Sequence, residues 1–158
     1  MKRILFVCTG NTCRSSMAEA LLRYQLDKEG VSGEYYASSA GTAAYPGMPA
    51  SHNAIRALKA MGIDLSQHVS SMVNDALIDS ADLILTMTSS HKKRLLQLRP
   101  DAETKTYTLA EYCEGKGGTD IDDPFGGDLE TYMSCRDEIS KHVEVLVKKL
   151  KGKGEQRI

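Results

Sequence analysis

The chain has 158 residues and a formal net charge of −1, with 41% hydrophobic and 26% charged residues. This length and balance are typical of one globular domain and give no general attraction to nucleic acid or anionic lipid. No apolar stretch approaches the roughly 20 residues of a membrane span, and the apolar run after the basic residues 1–3 is too short for a signal peptide. We therefore expect a cytoplasmic protein without membrane or nucleic-acid partners.

The first half of the chain alternates strand and helix patterns. Residues 4–7 are an apolar strand, and Ser16 with Glu19 three positions later predicts a capping box that opens a helix ending at Gly30. After that helix we expect a strand over residues 33–39, a surface loop over 42–50, a helix from Ser51 to Gly62 and a short helix over 72–79.

The second half continues the alternation. We expect a strand over residues 82–87, a helix over 89–98 that Pro100 ends, a strand over 104–109, a long loop over 114–127 and an amphipathic helix over 128–151. Strands that alternate with helices predict an α/β fold, here a four-stranded parallel sheet with helices on both faces. Residues 1–151 would form this single domain, and residues 152–158 a solvated tail.

Cys8 stands where the first strand ends, and a loop of small and polar residues leads from it into the first helix. Such a loop can direct successive backbone N–H groups at one anion, and the helix dipole and the guanidinium fork of Arg14 add to that attraction. The same field favours the thiolate form of Cys8. Nucleophile and anion cradle together predict a cysteine phosphatase, against the simpler alternative of a buried thiol beside a surface arginine. The expected phosphate-binding residues are Thr9, Gly10, Asn11, Thr12, Cys13 and Ser15.

A phosphatase of this kind also needs a proton donor for the leaving group. The loop that contains Asp120, Asp122 and Asp123 offers three carboxylates. We favour Asp123, because Pro124 fixes the backbone beside it and the following glycines allow the loop to approach the site. A solvated acidic turn is the alternative interpretation of the same residues.

The motifs CTGNTCRSS at residues 8–16 and DPFGG at 123–127 resemble the low-molecular-weight protein tyrosine phosphatase family. The resemblance extends over the whole chain, including SAGT at 39–42 and DLILTM at 82–87. It implies a three-layer domain in which Cys8 forms a phosphocysteine and Arg14 binds phosphate. It also implies that Asp123 acts first as general acid and then as base.

The resemblance also implies supporting roles. Asn11 would hold the strained loop through its side chain, with Ser39 as its partner, and Ser15 would donate a hydrogen bond to the sulfur of Cys8. His68 resembles the histidine that supports the loop in the family. Without the resemblance, His68 is simply a polar loop residue.

Thr12 suggests which substrate the loop accepts. Tyrosine-specific family members typically carry a bulky aliphatic residue at this position, whereas the bacterial branch that acts on phosphorylated arginine carries threonine and the acid loop DPFGG. The hydroxyl of Thr12 could orient the water that hydrolyses the phosphocysteine. The ring of Phe125 could stack on the guanidinium of the substrate. We therefore expect phosphorylated proteins as partners and a protein-arginine phosphatase. A tyrosine phosphatase, an arsenate reductase and a non-catalytic phosphate-binding module are the alternatives.

The remaining cysteines have less specific patterns. Cys13 is either a resolving thiol, whose disulfide with Cys8 would switch the enzyme off under oxidation, or a small residue that fits the loop. Cys113 and Cys135 are expected to be packing residues, too far apart in sequence for an arsenate-reductase relay. Because no second cysteine pair or histidine pair follows the C-x4-C spacing, we expect no metal and no cofactor. The sequence does not predict an oligomeric state.

Overall fold

The computed structural model describes residues 1–155, with side chains described through residue 152. The strands are β1 (Lys2–Cys8), β2 (Tyr35–Gly41), β3 (Leu83–Thr86) and β4 (Thr106–Thr108). They form one parallel sheet in the order β2-β1-β3-β4, which places β1 between two neighbours. In the register of β1 and β2, Cys8 pairs with Gly41, so both lie at the carboxyl edge of the sheet.

Helices cover both faces of the sheet because alternate residues of β1 point to opposite sides. The helices are α1 (Arg14–Lys28), α2 (His52–Lys59), α3 (Asp75–Ser80), α4 (Ser89–Leu98), α5 (Leu109–Glu114) and α6 (Leu129–Glu155), with a 3-10 helix at Pro100–Lys105. Ile4 and Phe6 belong to a larger core with α1, α2, α5 and α6, whereas Leu5 and Val7 belong to a second core with α3 and α4. This arrangement confirms the predicted α/β fold.

The start of α1 differs from the prediction. The helix begins at Arg14, and the amide of Met17 already donates to the carbonyl of Cys13 at 3.0 Å. Ser16 therefore lies inside the helix, where its hydroxyl donates to the same carbonyl at 2.8 Å. The predicted capping box of Ser16 and Glu19 is wrong, because the N-cap of the helix is Cys13, three residues earlier than Ser16.

Helix α5 was not predicted, since only its first residue fell in the predicted fourth strand and its last in the predicted loop. Thr108 and Glu111 form a capping box there, with the amide of each residue donating to the other's side chain at 3.0 Å. The Thr-x-x-Glu pattern was therefore present in the sequence. Other differences are smaller, since β2 lies two residues later than predicted, β4 is shorter and α3 starts at Asp75.

The C-terminal helix is longer than predicted. Helix α6 continues to Glu155, so residues 152–155 of the predicted tail are helical. Residues 156–158, the rest of that predicted tail, lie outside the described residues. Across the part of the chain that is described, no helix has the length and apolar character needed to cross a bilayer.

Candidate active site

The sulfur of Cys8 lies inside the loop that follows β1. The side chain is buried, and its Sγ is 2.8 Å from Oγ of Ser15 and accepts a hydrogen bond from the amide of Asn11 at 3.3 Å. Both contacts favour negative charge on the sulfur when Ser15 donates to it. The structure thus brings Cys8, Asn11 and Ser15 together, as expected from the motif.

Asn11 has the strained backbone of this loop. Its φ of 60° is the only positive value among the described non-glycine residues, and asparagine adopts this conformation more readily than most residues. Its side-chain Nδ2 donates to Ser15 at 2.8 Å, and its Oδ1 accepts from the amide of Ser71 at 2.9 Å. Nε2 of His68 is 2.7 Å from the carbonyl oxygen of Asn11 and therefore donates to it. Every polar group of the side chain is used to hold the turn.

The predicted partnership of Asn11 with Ser39 is wrong. The hydroxyl of Ser39 donates to Oε1 of Glu19 at 3.1 Å, and the amide of Ser71 supplies the contact with Asn11 instead. The choice depends on how the segment before α3 folds back over the loop, which no local pattern indicates. Ser71 is thus a loop-supporting residue that the sequence analysis missed.

The segment after β2 closes over the same loop. The amides of Thr42 and Ala43 donate to the carbonyls of Cys8 and Thr9 at 2.9 and 3.0 Å. At Gly41 a Cβ atom would lie 2.2 Å from the carbonyl oxygen of Thr9, closer than any side chain can approach. Only glycine permits this contact between β2 and the loop.

Arg14 is held at the start of α1. Its side chain is 7% exposed, and its NH1 donates to the carbonyl of Ile121 at 2.9 Å. Its NH2 lies 3.6 Å from Oδ2 of Asp123. The guanidinium therefore joins the loop of Cys8 to the loop that carries the aspartates.

The three aspartates of that second loop have different surroundings. Asp120 accepts from the amide and the hydroxyl of Ser89 at 2.9 and 3.0 Å, and Asp122 is exposed. Asp123 accepts from the amide of Phe125 through Oδ1, which leaves Oδ2 facing Arg14. The side chain of Asp123 is 54% exposed, so it can reach an incoming ligand. Asp123, which the sequence analysis favours, is thus the aspartate of these three whose carboxylate lies beside Arg14.

His91 was missed by the sequence analysis. Its Nδ1 accepts from the amide of Thr88 at 3.2 Å, and its Nε2 is 2.9 Å from the hydroxyl of Thr9. Burial, together with the nearby charge of Arg14, lowers the pKa of His91 from 6.5 to about 4, so the imidazole is neutral near pH 7. The Thr-x-x-His spacing at the start of α4 could have indicated this role. In a capping box, the side chain of the third helical residue bonds to the backbone amide of the N-cap residue.

The sulfur of Cys13 has different contacts from that of Cys8. It lies 3.4 Å from the hydroxyl of Tyr132 and 3.5 Å from that of Ser51. Burial raises the pKa of Tyr132 to about 12, so the phenol stays protonated. All four cysteines of the chain are free thiols.

The mouth of the loop is more open. Thr12 and Gly10 are half-buried and Thr9 is exposed, while the carbonyl of Thr12 accepts from the amide of Ser51 at 2.9 Å. Phe125, on the opposite loop, is 78% exposed. Among the described residues, no group of three or more histidine, cysteine, aspartate or glutamate side chains is placed to hold a metal ion.

Comparison with known proteins agrees with this geometry. A family model described as low molecular weight phosphotyrosine protein phosphatase matches residues 3–156. The protein-arginine-phosphatase of Bacillus subtilis (strain 168) is 43% identical over 148 residues, which cover 94% of this chain and 96% of that protein. The YwlE arginine phosphatase structure from Geobacillus stearothermophilus has a TM-score of 0.92 at 40% identity, over 100% of this chain and 98% of that chain.

A second solved structure bears on the chemistry. It is a mutant YwlE arginine phosphatase with a phosphorylated active site serine, and it has a TM-score of 0.90 at 42% identity. The match covers 94% of this chain and 95% of the mutant's chain. Sequence, fold and site geometry thus lead to one conclusion: the chain belongs to the low molecular weight phosphotyrosine protein phosphatase family.

Proposed function

We propose that this chain is a phosphatase that removes phosphate from arginine side chains of proteins through a phosphocysteine intermediate. The observation that carries the proposal is the juxtaposition of the Cys8 loop with the Arg14–Asp123 pair, in which NH2 and Oδ2 lie 3.6 Å apart. One end of the site can hold a phosphoryl group and the other can supply a proton.

In the first half of the reaction, the thiolate of Cys8 attacks phosphorus, an S–P bond forms and the P–N bond to the guanidine breaks. Asp123 gives its proton to the departing nitrogen, so arginine leaves as a neutral or protonated guanidine rather than as an anion. Arg14 and the loop amides stabilise the charge on the phosphoryl oxygens. Ser15, at 2.8 Å, stabilises the sulfur before attack and as the later leaving group.

In the second half, Asp123 takes a proton from water, whose oxygen attacks phosphorus while the S–P bond breaks. Inorganic phosphate leaves and Cys8 returns to the thiolate. The trapped phosphoserine in the related mutant structure supports a covalent intermediate at the position of the nucleophile. Asn11 and His68 serve here as positioning residues, since their hydrogen bonds at 2.7 to 2.9 Å hold the loop around the sulfur.

Arginine as the substrate side chain is supported by the names of the relatives and by Thr12. The Bacillus subtilis relative is called a protein-arginine-phosphatase and is 43% identical to this chain. Thr12 leaves a polar hydroxyl at the half-buried mouth of the loop, where an aliphatic side chain would favour a phenyl ring. The exposed ring of Phe125 offers a flat face on which a guanidinium can stack.

The arsenate reductase alternative is disfavoured by the other two cysteines. Cys113 donates to the carbonyl of His142 at 3.2 Å, and Cys135 lies 3.8 Å from the carbonyl of Asp122. Burial raises their pKa to about 11 and about 12, respectively. Both thiols therefore stay protonated near pH 7, whereas the disulfide exchange of an arsenate reductase needs thiolates.

Two further parts of the proposal concern the setting of the enzyme. Four free thiols support a reducing, cytoplasmic location.

A peroxide could oxidise Cys8 to a sulfenic acid, which Cys13 would attack to give a disulfide and water. That disulfide would remove the nucleophile until a thiol reductant restored it.

The proposed activity is tested by hydrolysis of matched phosphoarginine and phosphotyrosine peptides, with Cys8→Ser as the blank. We expect a higher kcat/KM for phosphoarginine. A preference for phosphotyrosine would retain the mechanism and overturn the substrate. Binding of both peptides without phosphate release would contradict catalysis and favour a phosphate-binding module.

The contribution of Thr12 is tested by Thr12→Ile, with Thr104→Ile as control. Thr104 is exposed at the opposite end of the sheet, close to Lys105 and β4, so its substitution leaves the site intact. We expect the ratio of kcat/KM for phosphoarginine over phosphotyrosine to fall in Thr12→Ile alone, by about tenfold for roughly 1.4 kcal/mol of altered discrimination. An unchanged ratio would mean that Thr12 does not select the substrate.

A further inference from the structure

The first turn of α4 contacts both loops of the site. Ser89, its first residue, holds Asp120 through two hydrogen bonds at 2.9 and 3.0 Å. His91, two residues later, lies 2.9 Å from the hydroxyl of Thr9, the residue directly after Cys8. The turn therefore connects the loop of the nucleophile with the loop of the acid.

The hydrogen bonds of His91 determine which ring nitrogen carries the proton. The amide of Thr88 can only donate, so Nδ1 of His91 must accept and is unprotonated. In the neutral ring the proton is then on Nε2, which donates to the hydroxyl oxygen of Thr9. Burial favours this neutral form because it penalises the charged ring. A protonated ring would also place its Nδ1–H against the amide N–H of Thr88.

Thr9 is exposed, yet it is held from two directions. Its carbonyl accepts from the amide of Ala43 at 3.0 Å, and its hydroxyl accepts from His91 at 2.9 Å. Loss of the His91 contact would leave the side chain of Thr9 free to rotate in water. The backbone between Cys8 and Gly10, whose amides face a bound phosphate in the proposed mechanism, would then have one restraint fewer.

The same turn restrains the acid loop. Asp120 precedes Ile121, whose carbonyl holds Arg14 at 2.9 Å, and the loop continues to Asp123. Displacement of α4 would therefore shift the position of Asp123 relative to Cys8. The contacts thus form one connected path from Thr9 through the α4 turn to the acid loop.

We propose that His91 is a positioning residue of the phosphatase reaction, which sets the phosphate loop through Thr9 and joins it to the acid loop through the first turn of α4. The proposal rests on the proposed phosphatase function. His91 does not touch the reacting atoms, and it acts by restraining groups that do.

Two substitutions separate the cap of α4 from the contact with Thr9. In His91→Asn, the side-chain oxygen can still accept from the amide of Thr88, but the side chain is too short to reach Thr9. In His91→Gln, the longer amide can accept from Thr88 or donate to Thr9, and it does not titrate. The comparison of Asn with Gln therefore isolates the contact with Thr9, while thermal unfolding checks that both variants fold.

We expect His91→Asn to lower kcat/KM for a phosphoarginine peptide about three- to tenfold, the effect of one hydrogen bond, with most of the loss in kcat. His91→Gln should recover activity to within about twofold of the wild type. An unchanged kcat/KM in His91→Asn would overturn the proposal, as would equal losses in the Asn and Gln variants.

A double-mutant cycle with Thr9→Val tests the contact itself. If the hydrogen bond carries the effect, the variant with both Thr9→Val and His91→Asn should lose no more activity than either single variant. Losses that multiply would show that the two residues act independently and would overturn the proposal. Should His91→Asn fail to fold, Thr9→Val is made in the wild type and in His91→Gln instead. We expect Thr9→Val to lower kcat/KM by the same three- to tenfold in both backgrounds. An unchanged kcat/KM would overturn the proposal.

A binding measurement keeps this test separate from the proposed function. The affinity for inorganic orthovanadate, a phosphate-like anion, is measured by calorimetry for the wild type and for His91→Asn. Wild-type protein without phosphatase activity would overturn the proposed function alone. A three- to tenfold weaker affinity in His91→Asn would still support the positioning role, and an unchanged affinity with unchanged kinetics would overturn it.

Discussion

Arg14 and Asp123 face each other across the site, with NH2 and Oδ2 separated by 3.6 Å, although they are far apart in the sequence. Their surroundings differ, since Arg14 is buried and also fixed by the carbonyl of Ile121 at 2.9 Å, whereas the Asp123 side chain is 54% exposed. The cation is therefore rigid and the carboxylate accessible. This asymmetry suits a pair in which one member holds a phosphoryl group and the other exchanges protons with solvent and substrate.

Asp123→Asn should lower kcat about a hundredfold or more, because the departing guanidine then receives no proton from the enzyme. The amide oxygen of asparagine can still accept from the amide of Phe125 at the distance of 3.0 Å seen here, so the turn is preserved. Steady-state hydrolysis of a phosphoarginine peptide provides the measurement, and KM should change little.

Asp122→Asn is the matched control for that experiment, since it removes an exposed carboxylate from the adjacent position of the same loop. Its kcat should stay within about twofold of the wild type. Equal losses in the two variants would contradict the assignment of Asp123 as the proton donor.

Asn11 combines a strained backbone with side-chain hydrogen bonds, and two substitutions separate these contributions. Asn11→Gly removes the bonds to Ser15 and Ser71 but tolerates the φ of 60°, whereas Asn11→Ala also strains the backbone. Both variants should lose activity, and Asn11→Ala should be less stable than Asn11→Gly by about 1 kcal/mol. Urea unfolding measures the difference; equal stabilities would mean that the backbone strain is relieved elsewhere.

Gly41→Ala should destabilise the protein by about 1–3 kcal/mol and reduce activity, because the new Cβ overlaps the carbonyl of Thr9. The added atom would lie 2.2 Å from that oxygen, so either β2 or the phosphate loop must move. Gly33→Ala serves as the control, since nothing lies within 4 Å of its Cβ position. Urea midpoints and kcat/KM should change for Gly41 and not for Gly33, and the reverse order would contradict the close contact.

The neutral state of His91 predicts how stability depends on pH. Its pKa is about 4 in the folded protein, below the ordinary value of 6.5, so the unfolded chain binds the extra proton more readily. The contribution of His91 to the free energy of unfolding is therefore fully present above pH 6.5. It is lost as the pH falls toward 4, by at most about 1.4 kcal/mol per pH unit.

The groups that affect this titration are Arg14, which opposes the proton, and Asp120 and Asp123, which favour it, with burial as the largest influence. His91→Gln removes the titrating group while the carboxylates remain. Urea unfolding between pH 7.5 and pH 4.5 should therefore show a shallower loss of stability in His91→Gln than in the wild type. Parallel curves would mean that His91 does not titrate in this range.

Much of the fold follows from patterns within short stretches. The apolar run at the start of β1 and the helical periodicity of α6 depend on residues close in sequence, and they were predicted within a few positions. The errors are shifted element boundaries, such as the start of α1 at Arg14, and one short helix, α5, that was not predicted. Helix ends depend on individual caps, so a turn of the preceding loop can move them by a residue or two.

The strand, loop and helix that place Cys8, Asn11 and Arg14 in one motif follow from the local residue pattern, because a strand end and a helix start restrict their relative positions over a few residues. That Ser71 rather than Ser39 holds Asn11, and that His91 reaches Thr9, follows from the tertiary structure alone, which also decided the position of the acid loop. The tertiary structure likewise decided which of three aspartates faces Arg14. These contacts join residues of different strands and loops, and their distances follow from sheet register and helix packing, which no local pattern contains.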